Sequence, residues 1–256
     1  VRPSNRTVVH HVIVYARPPA PPDGGQPQAT TRPAPLFTFA DDMDIPAGQT
    51  GGPELPPDQR KAPGPNDRPA PRRLGASLGG YVPGTSSRAY PLGTAVRLAA
   101  GSTLVFQMHY TTTGKPTSDR TSIGLVFASA PPKTELRNTA LINGNFEIPA
   151  GAPEHRVDAE MTINRDVTLW SMLPHTHVRG KRWRYEVTYP DGRSEMILSV
   201  PKYDFEWQTD YVFKRPLKLP SGTRLHATAW YDNSPGNRSN PDPASKVWWG
   251  DQTWEE

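Results

Sequence analysis

Proline places the strongest constraint on how this chain can fold. The sequence holds 31 prolines among 256 residues, and a proline inside a helix removes a backbone donor and clashes with the preceding turn. The runs between the prolines are short, apolar and rich in β-branched residues, a pattern typical of strands. With a mean hydropathy of -0.65, the sequence predicts an all-β protein whose short strands are joined by many loops.

The first half of the chain contains a long irregular segment. Residues 8–15 read VVHHVIVY and predict a strand, whereas residues 17–73 are dominated by Pro, Gly, Ala and charged residues, with one short strand expected at 36–39. Strand patterns return at 95–98, 103–111 and 122–128, and turn residues between the last two predict a hairpin. The run Ala130-Pro131-Pro132 predicts a hinge.

The second half alternates more regularly. It predicts seven strands separated by turn residues, at 139–146, 155–163, 167–173, 182–189, 194–200, 209–213 and 223–231. Such spacing is typical of antiparallel sandwiches and jelly rolls. We therefore predict two antiparallel β-sandwich, jelly-roll-like domains with a cleft between them. The first comprises residues 1–131 with the proline-rich insertion at about 17–73, and the second comprises residues 132–256.

Charge and cysteine content narrow the possible functions. The net charge of +4 comes from scattered Arg and Lys, which disfavours nucleic acid as a partner. No apolar run is long enough to span a membrane, no signal peptide is recognisable, and Val1 suggests an excised fragment. Without cysteine there can be no disulfide or thiolate metal site. A bound metal would need His, Met, carboxylate or water ligands.

Five of the seven histidines lie in three clusters that could bind metal. On a strand, residues i and i+2 face the same side, so His175 and His177 could share one ion. His10 and His11 are adjacent and could do so only where the strand bulges. His109 lies on a strand expected to pack near the first, and three imidazoles suit copper or zinc. Structural alternatives remain: surface histidines at 175 and 177, one core and one surface histidine at 10 and 11, and a carbonyl-bonded His109.

Four motifs resemble the copper type II, ascorbate-dependent monooxygenases, in particular bacterial relatives of the peptidylglycine α-hydroxylating and dopamine β-monooxygenases. They read VVHHVIVY, LVFQMHYTTTGKPTSDRTSIGL, LPHTHVRGKRWRYEV and VWWGDQTWEE, and they occur in the family's order. The resemblance covers nearly the whole chain outside the proline-rich segment. It implies an enzyme that uses two copper ions to hydroxylate an aliphatic C–H bond with O2.

The resemblance also assigns ligands. It implies that His10, His11 and His109 hold an electron-transfer copper, and that His175 and His177 are catalytic ligands of an oxygen-activating copper. The family's third ligand there is a methionine that would follow Glu256, so weak Cu(I) binding and little activity are expected of this chain. Of the possible substitutes, strand parity turns Met172 and Met108 away from the neighbouring histidines and leaves Met161 open.

The remaining expectations concern partners. The resemblance implies a small organic substrate, an external electron donor such as ascorbate or a redox protein, and a periplasmic or extracellular location. Leu173 occupies the position of the peptidylglycine enzyme's carboxylate-binding arginine, which disfavours peptide amidation. Arg179, Lys181 and Arg182 could bind an anion, but on an exposed turn they are predicted to form a solvated edge. Two alternatives stay open: a copper-binding or electron-transfer module without turnover, and a metal-free β-sandwich that binds glycans or a protein.

Overall fold

The computed structural model describes residues 1–19, 76–82, 89–111, 113–250 and 254–255. It contains thirteen strands, and no helix occurs among these residues, so the predicted all-β class is confirmed. All named strand pairs are antiparallel except one short parallel pair. The predicted strand at 36–39 lies outside the described residues. No helix that could cross a membrane is found in the described part of the chain.

Contacts between Cα atoms divide the chain into two compact units, and the division falls between Ala140 and Leu141. The predicted boundary at 131/132, the jelly-roll topology and the cleft remain predictions.

The first unit is built around one three-stranded sheet. Its strands are β1 (Val9–Arg17), β2 (Ala76–Tyr81), β3 (Thr94–Ala95), β4 (Thr103–Tyr110) and β5 (Thr134–Glu135). The order in the sheet is β2-β1-β4, and β3 pairs separately with β5. The buried core consists of Val8, Val9, Val12, Val14 and Tyr81, with Met108 and Ile123 packed against it. The central strand β1 is therefore the β-branched segment that the sequence marked most clearly.

The predicted hairpin between 103–111 and 122–128 is wrong. Strand β4 pairs with β1, and residues 122–128 form only one isolated bridge, between Ser122 and Arg2. Val126 and Phe127 are exposed. The apolar alternation that predicted a strand there therefore does not correspond to a buried face. The adjoining turn is held instead by Asp119, whose Oδ1 accepts hydrogen bonds from the backbone N–H groups of Ser4 and Asn5.

The second unit contains the remaining eight strands. They are β6 (Glu147–Ile148), β7 (His155–Thr162), β8 (Val167–Met172), β9 (Gly180–Thr188), β10 (Ser194–Val200), β11 (Tyr211–Leu219), β12 (Arg224–Tyr231) and β13 (Val247–Trp248). A four-stranded sheet has the order β10-β9-β12-β7, while β11 pairs with β8 and β13 with β6. Along β12, Leu225, Ala227, Ala229 and Tyr231 are all buried in the core, which is the period-2 pattern expected of a strand with one inward face.

Two predicted elements differ in this unit. Residues 139–146 form no strand, and pairing begins only at β6. Strand β11 runs on to Leu219, beyond the predicted end at 213, and its pairing with β8 is irregular between Val212 and Leu217. Pro216 lies in that interval and has no N–H to give the ladder, which explains both the irregularity and the early predicted end.

Candidate metal centres

A β-bulge brings two adjacent histidines to one place. Across the β1–β4 pair, Val9 is opposite Tyr110 and His11 is opposite His109, with a register shift between Val9 and His11. His10 is thus the extra residue of the bulge. On a regular strand neighbouring side chains face opposite sides, and the bulge removes that restriction.

The three imidazoles of His10, His11 and His109 form a compact cluster. The ring centroids of His10 and His11 are 5.4 Å apart, those of His10 and His109 are 5.3 Å apart, and those of His11 and His109 are 4.6 Å apart. One ligand nitrogen from each residue lies within 4.8 Å of the other two. Within the described residues this is the one group of three or more His, Asp or Glu side chains that meets this criterion.

The spacing of the nitrogens suits a transition metal. Nδ1 of His10 lies 3.2 Å from Nδ1 of His11. Two nitrogens at that separation, each about 2.0–2.1 Å from one ion, would subtend roughly 100° at it. That angle lies between the square-planar and tetrahedral values, both of which occur in sites rich in imidazole. All three side chains are partly buried, which leaves room for a further ligand.

The electrostatics favour the neutral imidazole of His109. Loss of hydration lowers the pKa of His109 below its ordinary value, and the nearby charge of His10 lowers it further. An imidazole binds metal through an unprotonated nitrogen, so a low pKa keeps His109 ready as a ligand at neutral pH.

A buried tyrosine lies on the same strand pair. The Tyr15 hydroxyl donates a hydrogen bond to Oε1 of Gln107 at 3.0 Å, and Gln107 is two residues from His109 on β4. Burial raises the pKa of Tyr15 well above its ordinary value, so the phenol stays protonated and remains a donor. This hydrogen bond joins β1 to β4 close to the histidine cluster.

The second histidine pair does not lie on a strand. Residues 173–179 connect β8 to β9, and we call this segment the histidine loop. The prediction that strand alternation turns His175 and His177 to one side is therefore wrong. The rings nevertheless lie close, with centroids 5.2 Å apart and planes at 87°. His177 is buried and His175 keeps an exposed surface. Within the described residues the pair belongs to no larger metal-binding group.

A second loop, residues 201–210 between β10 and β11, contacts this histidine pair, and we call it the Tyr203 loop. The Tyr203 hydroxyl donates to the backbone oxygen of Thr176 at 2.7 Å and accepts from the Thr176 N–H at 3.3 Å. The Phe205 ring packs edge-on to His177 at a centroid distance of 6.1 Å. Oε1 of Gln208 lies 2.9 Å from Nδ1 of His175. Protein atoms around the His175 ring displace water and lower its pKa, an effect that the Gln208 hydrogen bond opposes.

The expectation that Arg179 belongs to a solvated edge is wrong, because Arg179 is one of the most buried side chains. Its Nε donates to Oδ1 of Asn233 at 2.8 Å, and its Nη1 donates to the backbone oxygen of Trp254 at 2.6 Å. Burial lowers the pKa of its guanidinium, and the charge of Asp242 opposes that shift. Arg179 therefore fixes the chain around the histidine loop.

The methionines considered as substitute ligands lie in or against the apolar cores of the two units. Met161 is buried in the core cluster of the second unit, with Met172 packed against it, and Met108 packs against the core of the first unit. That Met108 and Met172 point away from the histidines stays a prediction. Met161, which strand parity left open, is 2% exposed within the apolar core of the second unit.

The sequence identified the histidines but not the residues that position them. Tyr203 and Gln208 lie 27 and 33 residues from their partners, and no spacing rule connects them to His-Thr-His. Neither a protein-family model nor a curated protein matches the chain.

Proposed function

We propose that this chain is a copper-binding protein of the two-copper monooxygenase class, using O2 and an external electron donor on a small organic substrate. The observation that supports it best is the cluster of His10, His11 and His109. Two strands separated by the proline-rich segment contribute these imidazoles, and the bulge at His10 admits the third ring. A bulge interrupts pairing in the central strand of a sheet, and such features commonly mark functional sites.

The donor set favours copper over other first-row metals. The chain has no cysteine, and the cluster consists of imidazoles alone, which suit copper and zinc. Divalent copper binds most tightly of the series at nitrogen sites. When bound, copper would supply one-electron redox chemistry. The protein's own contribution is to keep His109 neutral, to orient the three rings and to hold the His175 and His177 pair through the Tyr203 loop.

A copper carrier without turnover is the second candidate. It is favoured by the composition of the second pair, which within the described residues has two histidines and no third His or carboxylate. In that case the first cluster alone would bind and release copper or electrons.

Copper titration tests the proposal. Metal-free protein is expected to bind two Cu(II) ions, and the His109→Ala variant is expected to bind one. His226→Ala is the matched control, because His226 belongs to neither cluster and bonds to Asp158 at 2.8 Å. Binding of no copper by the unaltered protein, or of equal copper by His109→Ala, would contradict the proposal. With two coppers bound, oxygen uptake driven by ascorbate distinguishes turnover from carriage.

A further inference from the structure

The side-chain amide of Gln208 is engaged at both ends. Its Nε2 donates a hydrogen bond to the backbone oxygen of Phe205 at 3.1 Å. Its Oε1 lies 2.9 Å from Nδ1 of His175. Gln208 is partly buried, as is Phe205, so the protein rather than bulk water sets the arrangement of the amide.

The contact with Phe205 decides which way the amide points. A backbone carbonyl oxygen can only accept a hydrogen bond. Turning the amide over would place Oε1 against the Phe205 oxygen, and neither atom could donate. The oxygen of Gln208 is therefore the atom that meets His175.

The amide orientation in turn decides the tautomer of His175. Because Oε1 can only accept, Nδ1 of His175 must carry the proton in this contact. In a neutral imidazole the other nitrogen, Nε2, then has the lone pair. A metal ion binds that lone pair.

We propose that Gln208 is a positioning residue that holds His175 as the Nδ1–H tautomer and keeps Nε2 available to a metal ion. The inference rests on the proposed copper function of the His175 and His177 pair. Ligating histidines commonly donate their second N–H to a fixed acceptor, which sets both the tautomer and the ring orientation. Gln208 supplies such an acceptor from a separate loop.

A purely structural role would give different results. Tyr203 already anchors the histidine loop through Thr176, so loss of Gln208 is expected to alter His175 more than the fold. Gln208→Leu removes the acceptor. Gln208→Glu keeps an acceptor but loses the donor to Phe205. Glu206→Ala is the matched control on the same loop, because Glu206 is exposed.

The test is ¹⁵N NMR of the metal-free protein at about pH 8, where unperturbed histidines are neutral. Nitrogen shifts report which ring nitrogen carries the proton, and the His175 signal is assigned by its loss in His175→Gln. The unaltered protein, Gln208→Glu and Glu206→Ala should show Nδ1–H at His175. Gln208→Leu should shift the population towards Nε2–H. An Nε2–H tautomer in the unaltered protein, or an unchanged tautomer in Gln208→Leu, would overturn the inference.

Copper affinity gives a second readout. Gln208→Leu should weaken Cu(II) binding at the second site by about 10- to 100-fold and leave the first site unchanged. If the unaltered protein binds no copper at His175 and His177, the proposed function fails, whereas the NMR measurement still decides the role of Gln208. Equal affinity in Gln208→Leu and the unaltered protein would contradict the positioning role while leaving the copper function intact.

Discussion

Gly180 has no side chain, and the buried side chain of Thr176 fills the space beside it. Thr176 is the residue between His175 and His177 in the sequence. A Cβ atom added at Gly180 would overlap Oγ1 of Thr176 and would lie 2.8 Å from its Cβ and 2.8 Å from Cδ1 of Tyr203. Favourable carbon contacts need about 3.5–4.0 Å. Thr176 is 1% exposed and Tyr203 is 9% exposed, so neither can move aside without disturbing its neighbours.

Gly180→Ala should therefore destabilise the second unit and loosen the histidine loop. Overpacking of this kind costs about 1–3 kcal/mol, and we expect the upper part of that range because two buried residues are displaced at once. Copper binding at His175 and His177 should weaken, and binding at His10, His11 and His109 should not change.

Tryptophan fluorescence in a urea titration isolates the affected unit. All seven tryptophans lie between residues 170 and 254, so the signal reports unfolding of the second unit. The control is Gly144→Ala in the same unit, because the added Cβ would meet Trp249 at an ordinary 3.5 Å. Both variants share the effect of alanine on the unfolded chain, and their difference isolates the overlap.

A double-mutant cycle checks the cause. Oγ1 of Thr176 is buried and has no hydrogen-bond partner among the described residues, so Thr176→Ala alone should cost little. Combined with Gly180→Ala, it should recover part of the lost free energy of unfolding. If Gly180→Ala is as stable as Gly144→Ala, or if Thr176→Ala brings no recovery, the steric explanation is refuted.

Three further changes test the second unit, two of them beside the second histidine pair and one at His155, each by urea unfolding followed through tryptophan fluorescence. Tyr203→Phe removes both hydrogen bonds to the buried backbone of Thr176 and should cost about 1–3 kcal/mol; an unchanged midpoint would refute this. Arg179→Lys cannot replace both guanidinium donors and should cost about 1–3 kcal/mol, whereas equal stability would show that the link to Asn233 contributes little. Burial lowers the pKa of His155, so the unfolded chain binds the proton more readily and stability should fall as the pH drops from about 6.5 towards the lowered value. His155→Gln should flatten that dependence.

The fold class was predictable because it depends on local patterns. Strand β1, for example, is a β-branched run whose pattern predicts it directly. Residues 122–128 show the same pattern, yet Leu125, Val126 and Phe127 are exposed, and the segment is unpaired apart from the bridge at Ser122. Local alternation does not contain the information that decides this difference, because pairing depends on which distant strand occupies the neighbouring position. Here β4 pairs with β1.

The two histidine sites differ in how well their sequence spacing predicts the local structure that brings the rings together. The adjacency of His10 and His11 was informative because it required a bulge if the two were to converge, and β1 has its register shift there. The spacing of His175 and His177 suggested convergence through strand alternation, but the pair lies in a loop, where no fixed period applies. Convergence in that loop depends on Tyr203 holding Thr176, on Phe205 packing against His177, and on the absence of a side chain at Gly180. These are contacts between separate loops, so their strength is set by packing in the folded protein. Substitutions at Gly180 and Tyr203 change the arrangement of the second pair and leave both histidines in place. They therefore test that arrangement separately from the identity of the ligands, which substitutions of the histidines cannot do.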